Sequence, residues 1–239
     1  MTLHNKNVLI TGASGGLGSA LAIEYAREGC NLILSGRNYE KLREVREQIL
    51  KTNSVQIDCF QADLDNEAAV YNLINKTKQK VKQVDVLINC AGIFPIQSIT
   101  DMTLEKYREC ININLTAPFI LIKEFSKEMI ENQWGQIINI ASSSAYGGAP
   151  NTSIYCASKH ALLGLSRSLH KELKSHNVRV LCVSPGSIQT EMGRDVEKLG
   201  QHYDTFIDPQ ELASYIVFNS RLDGHMISEE IRLNRRFIQ

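Results

Sequence analysis

Residues 11–18 read Thr11-Gly12-Ala13-Ser14-Gly15-Gly16-Leu17-Gly18 and directly follow the apolar run Val8-Leu9-Ile10. An amphipathic stretch begins at the end of this segment, so the order predicts a strand, a glycine-rich turn and a helix. Such a turn lets backbone N–H groups and a helix N-terminus approach a pyrophosphate without interference from Cβ atoms. The spacing differs from the common Gly-x-Gly-x-x-Gly fingerprint, and a plain tight turn is the alternative. Its position after the first strand of a strand–helix–strand pattern favours a dinucleotide site.

Short apolar runs alternate with longer amphipathic stretches along the rest of the chain. Strands are predicted near 8–10, 32–34, 55–57, 86–88, 137–140 and 178–183, with 226–233 as a final candidate, and helices near 17–28, 39–51, 65–81, 102–131, 153–175 and 208–219. Most of the strands are apolar on both faces, as in a parallel sheet covered on both sides. The alternation predicts an α/β fold with a doubly wound, Rossmann-like parallel sheet of about seven strands. We expect a single domain over 1–239, with a cofactor half of about 1–140 and a catalytic and substrate half of about 141–239.

Composition argues against several classes of partner. Lys+Arg and Asp+Glu both number 26, so the formal net charge of zero gives no indication of nucleic acid or an anionic membrane as a partner. The polar N-terminus has no signal-peptide core, and no run approaches the roughly 18 apolar residues of a membrane span. The six cysteines form no Cys-x-x-Cys pair, so no metal site is predicted. We therefore expect a soluble, cytoplasmic protein that acts on a small molecule.

The end of the second predicted strand distinguishes between two dinucleotides. NAD sites usually carry an acid there, which binds the ribose 2′-hydroxyl. Here the strand ends in Ser35-Gly36-Arg37-Asn38, with no acid before Glu40. A guanidinium at Arg37 can form paired, charge-assisted hydrogen bonds with a 2′-phosphate, whereas a solvated surface arginine is the alternative. The sequence therefore predicts NADP(H) in preference to NAD(H).

A second group of polar residues lies in the carboxyl-terminal half. Tyr155 and Lys159 are four residues apart on a predicted helix and so share one face. Ser142 follows an apolar strand, at the sheet edge where ligands bind in such folds. A Tyr-x-x-x-Lys match alone is common by chance. The alternatives are a simple turn at Ser142, an interfacial aromatic at Tyr155 and a solvated charge at Lys159.

Several segments together make the chain resemble the short-chain dehydrogenase/reductase family over essentially its whole length. They are Thr11–Gly18, Asp63-Leu64, Asn89-Cys90-Ala91-Gly92, Asn114, Ser142, Tyr155-Cys156-Ala157-Ser158-Lys159 and Pro185-Gly186. Singly, several of these matches are weak, but their joint order and spacing are highly specific. The resemblance implies an oxidoreductase that interconverts a carbonyl and a secondary alcohol with a nicotinamide cofactor.

The resemblance implies catalytic roles for Asn114, Ser142, Tyr155 and Lys159. Tyr155 is the expected acid in reduction and base in oxidation, and Ser142 is expected to orient the substrate oxygen. A free tyrosine, with a pKa of about 10, is a poor acid–base group at neutral pH. The Lys159 ammonium is expected to lower that pKa and to bind the nicotinamide ribose. Asn114 is expected to hold a water that links Lys159 to solvent.

The implied cofactor contacts extend along most of the chain. They comprise Gly12, Ser14, Gly16, Leu17, Gly18, Arg37, Asn38, Asp63, Leu64, Asn89, Ala91, Gly92, Tyr155, Lys159, Pro185, Gly186, Ile188 and Thr190. Residues 191–208 fall where the family keeps its mobile substrate loop. Members of the family commonly pair their long helices in a four-helix interface. The apolar runs within 114–131 and 153–175 therefore predict a homodimer, with a homotetramer as a further possibility.

Two other functions are compatible with these residues. One is a 3-oxoacyl-thioester (acyl-carrier-protein) reductase. Family members of that kind use basic residues near the cleft to bind the carrier, and Gln136 and His176 stand at the corresponding places, which argues against a carrier substrate. The other is an NADP(H)-binding regulatory protein without catalysis, which would not require an acid–base tyrosine.

Overall fold

Seven parallel strands form one sheet in the computed structural model, which describes residues 2–197, 200–222, 224 and 226–236. The strands are β1 (Asn7–Thr11), β2 (Asn31–Gly36), β3 (Ile57–Gln61), β4 (Val86–Asn89), β5 (Gly135–Ile140), β6 (Val178–Pro185) and β7 (Glu230–Leu233). Their order across the sheet is β3-β2-β1-β4-β5-β6-β7. The order reverses between β1 and β4, so the carboxyl ends of these two strands border the crevice where ligands bind in doubly wound folds.

Helices cover both faces of the sheet. They are α1 (Gly16–Arg27), α2 (Tyr39–Leu50), α3 (Glu67–Lys80), α4 (Leu104–Ile111), α5 (Ala117–Glu131), α6 (Ser153–Leu173), α7 (Glu191–Glu197) and α8 (Pro209–Arg221). Alternate residues of β1 lie on opposite faces of the sheet. Val8 and Ile10 pack in the core under α1 and α8, and Leu9 packs in the core under α3 and α5. The predicted doubly wound α/β fold is therefore confirmed.

The predicted helix over 102–131 is helical from Leu104 to Glu131, but its middle is not α-helical. A π-helical turn, Asn112–Thr116, separates α4 from α5, although the chain keeps one helical course. The extra residue per turn of a π segment rotates the side chains that follow it. Asn114 lies in this turn, fully buried.

Two predicted strands are displaced because both lie at sheet edges, where one side of the strand faces solvent. The third strand is Ile57–Gln61 rather than 55–57, and four of its five residues are partly or fully exposed. The last strand is Glu230–Leu233 rather than 226–233, and Met226 is largely exposed. Half-exposed edge strands carry polar residues, so apolar runs mark them poorly.

Candidate active site

The glycine-rich turn brings the backbone of β1, β4 and the segment after β6 close together. Gly12 has φ +67°, and a Cβ there would lie 2.8 Å from the Cα of Ala91. A Cβ at Gly16 would lie 2.7 Å from Cγ2 of Thr190. A larger residue at either position would displace the opposite wall of the crevice. The turn is thus shaped for a group that needs bare backbone at the start of α1.

A cleft of about 840 Å³ runs along the carboxyl edge of the sheet from this turn. Of the residues predicted to bind cofactor, all but Asp63 and Asn89 line it. Of the four predicted catalytic residues, Ser142, Tyr155 and Lys159 line it, and Asn114 lies behind its wall. The size and the Cβ-free turn fit a dinucleotide.

The two predicted cofactor residues outside the lining have structural partners. Asp63 is exposed, and its Oδ1 accepts a hydrogen bond from the backbone N–H of Asp65 at 3.2 Å. Asn89 is buried, and its Nδ2 donates to Oδ1 of Asn139 on the neighbouring strand at 2.8 Å. Oδ1 of Asn89 has no hydrogen-bond partner among the described residues. Their assignment to a cofactor therefore stays a prediction.

The side chains of Ser14, Arg37 and Asn38 line the cleft near the end of β2. Arg37 is exposed there, and a Cβ on Gly36 would lie 2.6 Å from Oγ of Ser14, so the Ser14 hydroxyl lies against the Gly36 backbone. Asn38 caps α2, because its Oδ1 accepts from the backbone N–H of Lys41 at 3.0 Å. This end of the cleft is thus lined by hydroxyl, amide and guanidinium groups.

Lys41 also lines this end of the cleft, and the sequence did not indicate it. Its Nζ lies 3.6 Å from Oε2 of Glu191, so the pair joins α2 to α7 across the cleft. The first acid after β2, Glu40, instead pairs with Arg43 at 3.1 Å and lies outside the lining. The only sequence signal for Lys41 is its place in the first turn of the helix that follows Arg37.

Tyr155 and Lys159 occupy successive turns at the start of α6, and both face the cleft. Tyr155 is buried, which raises its pKa to about 12, and a hydrogen bond with Ser142 lowers it. The ring of Phe94 packs edge-on against Tyr155, with ring centroids 4.6 Å apart. Ser142 follows β5, and its Oγ also accepts from the backbone N–H of Ser144 at 3.1 Å. The phenol and the Ser142 hydroxyl therefore meet at one end of the cleft.

Lys159 is only 4% exposed, which excludes the solvated-charge interpretation. Its Nζ donates to the backbone carbonyl of Ile140 at 2.9 Å. Burial lowers its pKa to about 8, whereas the thiols of Cys90, Cys182 and Cys110 act in the opposite direction. Burial raises the pKa of Cys90 to about 12, so that thiol is protonated at neutral pH. The Cys90 thiol beside Lys159 therefore carries no charge at neutral pH. Lys159 itself, with a pKa of about 8, is close to the pH at which it loses its proton.

Asn114 is held on several sides. Its Oδ1 accepts from the backbone N–H of Ile93 at 2.9 Å, and its Nδ2 donates to the carbonyl of Ile93 at 3.0 Å. Nδ2 also lies 3.0 Å from Oγ of Ser158 and 3.4 Å from Sγ of Cys110. The side-chain amide is therefore committed to protein partners, and the expected role of Asn114 in holding a water stays a prediction. Sequence reasoning missed Ser158 and Cys110 as partners of this residue.

The segment expected to be a substrate loop carries a short helix, α7, and a 3₁₀ turn, Tyr203–Thr205. Residues 198 and 199 of this segment lie outside the described residues. Met192, Val196 and Gln201 line the cleft. Phe94, which packs against Tyr155, lines the same cleft, so the segment forms one wall of the cleft that holds the candidate catalytic residues.

Gln136 and His176 do not lie near the cleft, contrary to the sequence-based interpretation. Gln136 is buried in the first part of β5, where its Nε2 donates to the carbonyl of Ser220 at 2.8 Å. His176 lies just before β6. Both are at the amino-terminal edge of the sheet, opposite to Tyr155, so they carry no information on a carrier protein.

Two kinds of site are absent from the described residues. No helix there is long and apolar enough to cross a lipid bilayer. No group of three or more His, Cys, Asp or Glu side chains there is arranged to hold a metal ion.

The chain is similar to oxidoreductases both in sequence and in structure. A family model described as short chain dehydrogenase matches residues 6–199. A 3-oxoacyl-acyl-carrier-protein reductase of Aquifex aeolicus is 31% identical over 240 residues, which cover 97% of each chain. A metagenomic short-chain oxidoreductase in complex with NADP superimposes with a TM-score of 0.87 at 27% identity, covering 99% of this chain and all of the other. A 4-hydroxyisoleucine dehydrogenase complexed with NADH superimposes with a TM-score of 0.84 at 30% identity, covering 97% of each chain.

Proposed function

The chain belongs to the short-chain dehydrogenase family, and from that premise we propose that it is an NADP(H)-dependent oxidoreductase that interconverts a carbonyl and a secondary alcohol. The observation that carries the proposal is the meeting of Ser142, Tyr155 and Lys159 at one end of a cleft of dinucleotide size. A nicotinamide bound there would exchange a hydride with the substrate carbon. The protein's own residues supply the proton transfer and the orientation.

In the reducing direction, Tyr155 donates its phenolic proton to the substrate oxygen. A pKa of about 12 in the free protein keeps the phenol protonated at neutral pH, as a proton donor requires. The Ser142 hydroxyl donates a hydrogen bond to the same oxygen and fixes its position. The T-shaped packing of the Phe94 ring against Tyr155 restricts the rotation of the phenol.

In the oxidising direction, Tyr155 must lose its proton before it can act as a base. The Lys159 ammonium, on the same face of α6, favours the phenolate by charge–charge attraction. Its hydrogen bond to Ile140 holds the side chain in place, and its remaining N–H groups are available for the ribose hydroxyls.

NADP(H) is the proposed cofactor because of the groups at the end of β2. Arg37 and the Ser14 hydroxyl lie where the adenosine ribose of a dinucleotide would end, and the acid typical of NAD sites is absent from this strand end. The solved relatives include complexes with NADP and with NADH, so the choice is argued from these residues.

A 3-oxoacyl-thioester reductase is a second candidate, favoured by the similarity to the Aquifex aeolicus enzyme over nearly the whole of both chains. It uses the same residues in the same roles and differs only in the group attached to the carbonyl. The walls formed by Phe94, Met192 and Val196 are apolar, which suits an acyl chain as well as a small ketone.

The deciding experiment is NADPH oxidation with a panel of small ketones, diketones, keto sugars and acetoacetyl coenzyme A. Tyr155→Phe serves as the matched control, since it retains the ring and lacks the proton. We expect turnover with at least one carbonyl, and the highest kcat/KM identifies its class. NADPH binding without turnover of any panel member would instead favour the NADP(H)-binding regulatory protein.

A further inference from the structure

Ser158 directly precedes Lys159 and links two parts of the candidate site, although its own side chain does not line the cleft. It is fully buried. Its Oγ donates to the backbone carbonyl of Tyr155 at 2.7 Å and accepts from Nδ2 of Asn114 at 3.0 Å. The hydroxyl therefore connects the first turn of α6 to the π turn between α4 and α5.

The direction of the second hydrogen bond follows from the first. A serine hydroxyl carries one proton, and here the carbonyl of Tyr155 receives it. Ser158 can then only accept from Asn114, so the NH₂ group of the amide must face the serine. The bonds of the amide to the N–H and the carbonyl of Ile93 require the same orientation, and Ser158 reinforces it from α6. A flipped amide would place oxygen against oxygen in a buried site, which costs the desolvation of both groups.

This orientation determines what Asn114 presents to the rest of the site. With Nδ2 directed at Ser158, Oδ1 faces the backbone N–H of Ile93 at 2.9 Å. A Cβ at Gly92 would lie 3.3 Å from Oδ1 of Asn114 and 3.5 Å from Nζ of Lys159. The amide oxygen and the ammonium thus border the same small space. The negative end of the amide dipole thus borders the same space as the ammonium, which favours the charged lysine.

We propose that Ser158 is a positioning residue, which orients the amide of Asn114 and thereby sets the proton affinity of the Tyr155–Lys159 pair. The catalytic role of Tyr155 and Lys159 in this proposal rests on the proposed function above. Cys110 assists, since its Sγ lies 3.4 Å from Nδ2 of Asn114 and donates weakly to Oγ of Ser158 at 3.9 Å. A thiol is a weak acceptor and does not replace the hydroxyl.

The same helix offers a matched control. Ser166 lies two turns further along α6 and is only 3% exposed. Its Oγ donates to the carbonyl of Leu162 at 2.7 Å and accepts from Nδ2 of Asn139 at 2.9 Å. Ser158→Ala and Ser166→Ala therefore remove equivalent hydrogen bonds from equally buried places. Ser158 contacts the candidate catalytic residue Asn114 directly, whereas Ser166 reaches the predicted cofactor residue Asn89 only through Asn139.

The kinetic experiment compares these two variants. We expect Ser158→Ala to lower kcat about tenfold with little change in the KM for NADPH, the size expected for one lost hydrogen bond in the transition state. In alcohol oxidation, the rise of rate with pH should move upward by about half a unit or more, because a less favoured ammonium raises the pKa of Tyr155. Ser166→Ala should keep kcat within about twofold. Equal kinetic losses in the two variants would overturn the proposal.

A readout independent of activity tests the same positioning. The N–H of Ile93 is held by Asn114, so its amide hydrogen exchange should accelerate at least about tenfold in Ser158→Ala and remain unchanged in Ser166→Ala. In an Asn114→Ala background, Ser158→Ala should cost less than about twofold further in kcat. Unchanged exchange at Ile93, or losses that multiply in the double variant, would overturn the proposal. The exchange result decides it even if no carbonyl substrate turns over.

Ser158→Cys provides a second variant if the alanine protein does not fold. The thiol is a weak donor and acceptor of similar shape. We expect exchange at Ile93 and kcat to fall between those of the wild type and those of a full loss. Wild-type values for both quantities in Ser158→Cys would contradict a role for the hydroxyl.

Discussion

The ammonium of Lys159 donates to the main-chain carbonyl of Ile140 at 2.9 Å, which joins the second turn of α6 to the last residue of β5. The bond replaces part of the hydration that the lysine loses on burial. It also fixes the helix face that carries Tyr155 relative to the strand end that leads to Ser142. One main-chain contact between a helix and a strand therefore contributes to the placement of Tyr155, the proposed proton donor, relative to Ser142.

Arg37→Ala should weaken the binding of NADPH by roughly tenfold or more and leave NADH nearly unchanged. A charge-assisted hydrogen bond to a phosphate contributes on the order of 1.5–3 kcal/mol, and NADH lacks that phosphate. The loss of affinity is measured from the equilibrium dissociation constants of NADPH and NADH for the wild type and the variant. Arg43→Ala is the control, because Arg43 is exposed on α2, pairs with Glu40 and lies outside the cleft. Equal losses for both cofactors would show that Arg37 does not bind the 2′-phosphate.

Tyr155→Phe should lower turnover by at least the roughly 10²–10⁴-fold that a general acid typically contributes. The ring remains, so its packing against Phe94 and the affinity for NADPH should persist. Steady-state kinetics measure the loss of turnover, and titration with NADPH measures the cofactor affinity. Tyr71→Phe, on the exposed face of α3, should have no effect. Near-normal turnover of the Tyr155 variant would end the proposed role.

Lys159→Met should change how stability depends on pH. Burial lowers the pKa of Lys159 from 10.5 to about 8, so between those values the unfolded chain binds more protons than the native protein. The lysine therefore makes the free energy of unfolding rise with pH across that window. The difference between wild type and variant should grow by roughly 2–3 kcal/mol in favour of the wild type between pH 8 and 10.5.

Denaturant unfolding of both proteins at several pH values measures this difference. Buried thiols and Tyr155 titrate over the same range and act in the opposite direction. Both proteins contain them, so only the part of the thiol titration that depends on the Lys159 charge remains in the comparison. Methionine nearly preserves the side-chain volume, which limits cavity effects. A difference that does not vary with pH would show that Lys159 does not carry a depressed pKa.

The expected homodimer should depend on the outer face of α5. Phe119 is 49% exposed there, in the helix predicted to pair with its copy. Phe119→Asp should convert a dimer to a monomer, because a buried unpaired carboxylate is strongly unfavourable in an interface. Phe218→Asp, on the exposed face of α8, should leave the dimer intact.

Light scattering at micromolar concentration gives the mass of each protein. A monomeric wild type would refute the helix-paired interface. A tetrameric wild type that Phe218→Asp converts to a dimer would show that the last helix and strand form a second interface.

The order of strands and helices was predictable from the sequence, because the period of apolar residues directly reflects which side chains a helix or a covered strand buries. The pairing of Tyr155 with Lys159 on one face was equally predictable, since four residues span about one turn of a helix. The place of the glycine-rich turn followed from the same reasoning. In each case, the relevant distances lie within one element or between two consecutive ones.

Other features depend on contacts between residues far apart in the chain. The π turn at Asn112–Thr116 has no local signature, and its Asn114 bonds to Ile93 and Ser158, 21 and 44 residues away. The burial of Lys159 and its bond to Ile140 likewise depend on how α6 packs on β5. Sequence determined which residues share a helix face and which follow a strand, because these are short-range consequences of backbone geometry. Tertiary packing alone decided which hydroxyl orients Asn114 and how deeply the lysine is buried, because hydrogen-bond direction and desolvation depend on neighbours that only the folded chain brings together.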